Sequence, residues 1–259
     1  MGTKTGIEWT DATWNPVTGC TKVSAGCDHC YAETLAVRRL RDVYLRREPV
    51  EDTDEARGDP FAVRLWPERL DLPIIWSDPR MVFVNSMSDL FHHDVPEEFV
   101  LRVFDVMLTA DWHVYQVLTK RPARAAKFWN KHSAEFGLGE IPEHIWVGTS
   151  VESQDVDYRV RHVRMVPAAV RFLSCEPLIG PLTLELDGIR WVIVGGESGA
   201  GYRRLEMDWA RSVRDQCRAA EVPFFFKQIG GRTPKAGGRL LDGREWDELP
   251  AVSRVEARA

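Results

Sequence analysis

The chain has 259 residues, 44% of them hydrophobic and 28% charged, which is enough to bury the core of one large α/β domain or two small ones. A formal net charge of −5 argues against a protein that coats nucleic acid indiscriminately, while leaving room for a local basic groove. There is no apolar run of about eighteen residues to cross a membrane and no apolar leader near the N-terminus, so the expectation is a cytoplasmic protein that does not engage a membrane.

The first predicted element is a short strand that feeds a cysteine-bearing loop. Cys20, Cys27 and Cys30 are spaced C-x6-C-x2-C, and Tyr31 follows the last of them. Three of the five cysteines in one loop read as metal binding in a reducing compartment rather than as a disulfide scaffold. Three thiolates hold three corners of a four-iron cluster and leave one iron without a protein ligand. A structural zinc would need a fourth donor. His29 is the nearest, although a side chain between two ligands tends to point away from the metal they share. Both readings stay open on spacing alone.

Next in the chain, residues 31–47 have helical spacing of apolar positions among many arginines, and the acidic stretch 48–59 reads as an exposed excursion. Six short apolar runs then recur at 81–84, 113–118, 145–147, 170–173, 191–194 and 223–226. Continuous apolar runs of this length suit strands buried on both faces of a parallel sheet. Amphipathic segments at 97–110, 121–136, 153–165 and 208–220 separate most of them. This alternation predicts six to seven βα units in a partial or full (β/α) barrel spanning 1–235. Asp242-Gly243 then signals a small hairpin within a C-terminal piece, 236–259, whose end from 254 onward is expected to fray.

Functional groups of such a barrel collect on the loops after the strands. Asp89, Lys120, Thr149, Glu152, Cys175, Glu176, Glu197, Lys227 and Gln228 all lie at predicted strand ends, so one mouth of the barrel would be ringed with polar groups. Turns are polar anyway, so no single residue carries the argument; the evenness of the set does.

The cysteine loop at the end of a first strand, followed by a βα barrel, resembles the radical S-adenosylmethionine superfamily. More narrowly, the chain is similar to a phage-associated family within it, the three-Cys-motif proteins. The segments that carry the likeness are Ile7-Glu-Trp-Thr-Asp-Ala-Thr-Trp-Asn-Pro-Val-Thr-Gly-Cys20, Asn85-Ser-Met-Ser-Asp-Leu-Phe-His92, Leu118-Thr-Lys-Arg-Pro122, Phe172-Leu-Ser-Cys-Glu-Pro-Leu178, Val194-Gly-Gly-Glu-Ser-Gly199 and Phe224-Phe-Phe-Lys-Gln228. One feature departs from the superfamily's usual C-x3-C-x2-C: here six residues separate Cys20 from Cys27. Gly19, Ser24 and Gly26 give the longer loop room to bulge.

The resemblance implies a [4Fe-4S] cluster on Cys20, Cys27 and Cys30, with S-adenosylmethionine chelating the open iron and yielding a 5′-deoxyadenosyl radical. Asn85, Ser86, Ser88 and Asp89 would hold the methionine amino group. Thr149, Ser150 and Glu152 would receive ribose hydroxyls or the carboxylate, and Glu197, in Gly195-Gly-Glu, would contact cofactor or substrate. Lys120, Glu176, Lys227 and Gln228 are left for the substrate. Cys175, if it faced the mouth, would return a hydrogen atom to a substrate radical, as in spore photoproduct lyase; the plainer reading is a small apolar filler. Cys217 reads as packing. The implied electron donor is a small redox protein such as flavodoxin or ferredoxin, and the implied substrate a nucleotide or nucleic-acid base. Two basic clusters, Lys120/Arg121/Arg124/Lys127 and Arg38/Arg39/Arg41/Arg46/Arg47, would suit phosphates, although charge runs on helices are more often solvated faces. The competing function is a metal-stabilised nucleic-acid-binding module without catalysis.

Overall fold

A computed structural model describes residues 5–251. In chain order the elements are β1 (Ala12–Trp14), β2 (Val17–Thr18), α1 (Tyr31–Arg38), α2 (Arg41–Tyr44), α3 (Asp54–Gly58), β3 (Arg64–Leu65), β4 (Met81–Val84), α4 (Glu97–Thr109), β5 (Val114–Thr119), α5 (Pro122–His132), β6 (Ile145–Ser150), α6 (Tyr158–Arg164), β7 (Arg171–Cys175), β8 (Trp191–Gly195), α7 (Met207–Ala219) and β9 (Phe224–Gln228). Seven strands form one parallel sheet in the order β1-β4-β5-β6-β7-β8-β9, while β2 and β3 pair antiparallel in a small flap beside it. The sheet is open, with no pairing between β1 and β9, and strongly curled. Trp9, just before β1, comes within 6.1 Å, centroid to centroid, of Trp191 on β8. The expected βα architecture is therefore present as a half-barrel.

Strand residues alternate between two apolar layers, as the pleat requires. On the outer face Val82, Val84, Val117, Val147, Leu173, Val194 and Phe226 meet the helices in the main core. On the inner face Phe83, Trp146, Phe172, Trp191, Ile193 and Phe225 join Trp9 in a mostly aromatic plug. Helix α4 shows why the outer layer forms. Glu97 and Glu98 suit the positive end of its dipole, and Phe99, Val100, Val103, Phe104, Val106 and Met107 are buried on one side. Each such side chain contributes about 1.5–3 kcal/mol of transfer free energy before ordering costs. Pro122 opens α5 at its first turn, where a missing N–H costs nothing.

Three expectations change in detail. The helix expected over 31–47 breaks at Arg39 and Leu40 into α1 and α2. The break brings Tyr44, 1% exposed, against Trp66 at 5.8 Å, while Val37 and Val43 stay exposed. Tertiary packing thus overrides local periodicity. The expected hairpin forms only its turn: Asp242 and Gly243 adopt positive φ (55° and 79°), but a single bridge, Leu241↔Arg244, flanks them. Leu241 and Trp246 enter the main core instead, and Asp247 bridges antiparallel to Phe225 on β9. The expected frayed end, from 254 on, lies outside the described residues. Among the described residues no helix is long and apolar enough to cross a membrane.

Candidate functional site

The cysteine loop leaves the carboxyl end of β1 and lies across the mouth of the half-barrel. Gly19, at φ +87°, passes so close to the Ala62 carbonyl oxygen that a Cβ would sit 2.1 Å from it. Gly26 plays the same part farther along, where a Cβ would fall 2.4 Å from Glu152 Cγ. The loop is thus pressed onto two neighbours, and only glycine allows that approach.

Three ion-paired strand ends hold the loop in place. After β4, Asp89 accepts from Thr119 Oγ1 (2.7 Å), the Lys120 amide (3.0 Å), Arg121 Nη1 (2.9 Å) and the Phe91 amide (3.0 Å). Arg121 reaches on to Cys20 Sγ (3.6 Å) and, through Nη2, to Thr21. After β6, Glu152 lies between Lys120 (2.8 Å) and Arg159 (2.9 Å) and accepts from Ser24 Oγ (3.1 Å). After β8, Glu197 pairs with Arg203, which donates to the Ala25 carbonyl (2.9 Å) and lies 3.5 Å from Asp28. The Tyr31 hydroxyl donates to the Ser86 carbonyl, and Thr21 Oγ1 is 2.8 Å from His92 Nε2.

The electrostatics follow from this packing. Burial raises the Cys20 thiol, and Asp89 raises it further, to about 11, with Arg121 opposing both. Burial also raises Cys30. Burial pushes the Glu152 carboxyl up, but Lys120 and Arg159 outweigh it and hold it below the ordinary carboxylate range. Glu197 is likewise held down, burial being outweighed by Arg203. Burial, aided by Arg121, drives His92 down to about 4, so its ring is neutral at physiological pH.

Alternation along the strands sorts the remaining expected residues. Ser150, Ser174 and Lys227 fall on the inner face with Trp146, Phe172 and Phe225. Glu176 joins them, pairing with Lys227 Nζ at 3.1 Å. Ser174 Oγ and Glu176 Oε1 are buried without a hydrogen-bond partner, as are both amide atoms of Asn85. Such groups are costly unless something else satisfies them. Thr149 and Gln228 have the other parity and serve the backbone, donating to the carbonyls of Thr119 (2.8 Å) and Gly196 (3.0 Å).

Cys175 does not face the mouth. It is 0% exposed in the outer core, where burial and nearby Cys217 push its thiol well up. A hydrogen donor needs access to the substrate; this thiol has packing partners instead. Asp89 is not a free anion awaiting an ammonium group either, since four donors already occupy it. Ser86 is tied to Asn15, and Ser88 Oγ donates to the Val17 carbonyl (2.9 Å). Of the segment expected to hold the methionine amino group, only Asn85, held at φ 61°, keeps unpaired buried polar atoms. Arg159, Arg203 and Asn15 are site residues that spacing did not single out. Each acts on a partner distant in sequence or across a loop, which leaves no local pattern.

The donor set can be tested against a metal. Among the described residues only His92, His93 and Asp94 bring three ligand atoms within 4.8 Å of one another, so at least one pair of the three thiols exceeds that distance. Tetrahedral zinc with Zn–S bonds of about 2.3 Å would draw sulfurs to within about 3.8 Å of each other. His29 offers no fourth ligand: it is exposed and lies against Gly201, where a Cβ would approach its ring at 3.3 Å. Cys20 and Cys30 pack against the same small apolar cluster, which includes Tyr44, Phe61 and Met87. Cys175 and Cys217 are buried in the outer core, so the loop offers three thiols, one short of either a closed zinc site or a fully ligated cluster.

The model of a family described as "Protein of unknown function (DUF5131)" matches residues 4–250. No curated protein and no solved structure matches the chain.

Proposed function

We propose that the chain, which belongs to this DUF5131 family, is a radical S-adenosylmethionine enzyme acting on a nucleotide or nucleic-acid base. The observation that carries the reading is the thiol loop itself: three closely spaced cysteines held over the mouth of a parallel half-barrel. A [4Fe-4S] cluster held by Cys20, Cys27 and Cys30 would supply one-electron reductive cleavage of S-adenosylmethionine, giving methionine and a 5′-deoxyadenosyl radical, with the electron coming from a small redox protein of the flavodoxin or ferredoxin kind.

The chain's own residues do the rest. Arg121, Glu152 and Arg203 fix the loop against three strand ends, so the thiols are positioned by side chains that are already paired. Asn85, Ser174 and Glu176 present unpaired polar atoms to a bound cofactor or substrate. Lys227 neutralises Glu176, and the aromatic plug beneath closes the floor and keeps water from entering from below.

The test is anaerobic reconstitution with iron and sulfide, reduction, and addition of S-adenosylmethionine. The expected result is about four irons per chain and release of 5′-deoxyadenosine, both lost in Cys27→Ala. A four-iron cluster without 5′-deoxyadenosine, or stoichiometric zinc in protein purified without oxygen, overturns the proposal.

A further inference from the structure

Beside the mouth, between the start of α5 and α6, opens a cleft of about 460 Å³ lined by Lys120, Arg121, Arg124, Lys127, Tyr158 and His162 among others. No carboxylate lines it, in a chain whose formal net charge is −5. Asp89, Asp94, Glu97 and Glu152 lie nearby, but each is set back from the lining. Glu152 is shared between Lys120 and Arg159, and Asp89 takes Arg121 alone. Arg124 spends its guanidinium on neutral acceptors, the carbonyls of Phe91, His92 and Val95. Lys127 is exposed and has no carboxylate partner among the described residues. Four cations line the cleft, and two of them, Arg124 and Lys127, make no ion pair with a carboxylate among the described residues. Tyr158, 49% exposed, offers a flat aromatic surface beside the His162 ring, 5.9 Å away. Arg121 joins this cleft to the thiol loop, since its Nη1 lies 3.6 Å from Cys20 Sγ.

We propose that this cleft binds the phosphodiester backbone of a single-stranded nucleic acid, with Tyr158 stacking on a base, and so delivers an adjacent nucleotide to the barrel mouth. A cationic track interleaved with an exposed aromatic ring is what single-strand binding uses. A single strand fits better than a duplex, because a base can reach the mouth only when it is unpaired and unstacked. This names the substrate class of the reaction proposed above and rests on that reading for its purpose, although the binding is measured apart from it.

The experiment is fluorescence anisotropy of a labelled strand of about 12 nucleotides with the full-length protein at several salt concentrations. Lys127→Glu is expected to weaken binding about tenfold and to lower the slope of log K against log salt by about 0.7, one phosphate contact for a single strand. Tyr158→Ala weakens binding roughly tenfold through lost stacking. Lys131→Glu, on the same helix but outside the cleft, leaves it unchanged. The proposal is overturned if a neutral-backbone analogue of the same sequence binds equally well, if Lys131→Glu weakens binding as much as Lys127→Glu, or if duplex is bound as tightly as single strand. Cleavage of S-adenosylmethionine without strand binding removes the cleft proposal and leaves the reaction. Strand binding without cleavage does the reverse.

Discussion

The floor and the mouth of the half-barrel are built from the same strands and even from the same face of the sheet, yet they are held by opposite physics. At the floor Trp9, Phe83, Trp146, Phe172, Trp191 and Phe225 pack ring on ring, with centroids from 4.7 to 6.1 Å apart for the pairs in contact. A few residues farther along, the same alternation delivers Ser150, Ser174, Glu176 and Lys227, and stability passes to buried ion pairs and hydrogen bonds. The floor is mostly apolar, although Trp9 Nε1 is buried there without a partner; the mouth holds more polar groups and leaves several of them unpaired. A rigid apolar base thus carries an unsatisfied polar rim, the arrangement expected where a ligand completes the structure.

The largest effect should come from the floor. Trp191 is fully buried, touches Trp9, Trp146, Phe172 and Phe225, and donates its indole N–H to the Glu248 carbonyl at 2.9 Å. Trp191→Ala is expected to lower unfolding stability by about 3–5 kcal/mol in urea titrations. The comparison between floor and mouth breaks down if that loss is under about 1 kcal/mol.

At the mouth, Glu152→Gln removes the one carboxylate between Lys120 and buried Arg159, leaving Arg159 charged and unpaired. A loss of roughly 3 kcal/mol at neutral pH is expected. Because the folded-state pKa of Glu152 lies below the unfolded value, its stabilisation is complete above the ordinary carboxylate range and is lost as pH falls through the folded pKa. Stability curves of the two proteins should therefore converge in acid, whereas the Trp191→Ala deficit should persist there. Curves that stay parallel for Glu152→Gln would mean that the carboxylate matters only for its shape.

The sequence made the strands easy to see and the mouth hard to see, for one physical reason. Continuous apolar runs mark strands buried on both faces, so β4, β5, β7, β8 and β9 were legible to within a residue or two. Which face a given side chain takes depends on where regular pairing ends, and a single residue reverses it. β6 was expected to stop at 147, but it continues to Ser150. Asp89 looked like a bare anion because its donors at Thr119, Lys120 and Arg121 come from the next strand. Arg121 itself was visible only as part of a basic cluster, and Arg203 follows a glycine-rich turn that carries no signal of a partner at Glu197. The thiol loop was legible because its three cysteines lie close together in the chain, whereas partners paired across strands do not.

Parity also sets the smallest effect. Cys175 lies between Ser174 and Glu176, both turned toward the mouth, yet its own sulfur packs in the outer core beside the helices. Cys175→Ala removes one atom of about methylene size from a buried site, so a stability loss of about 1 kcal/mol is expected. Iron content after reconstitution and the yield of final product per 5′-deoxyadenosine released should match the parent protein. A thiol that supplied hydrogen to a substrate radical would behave in the opposite way: stability would barely change while product formation collapsed. Urea titration and product quantitation on the same preparation therefore separate a sulfur that fills space from one that reacts, and the buried position of Cys175 predicts the first.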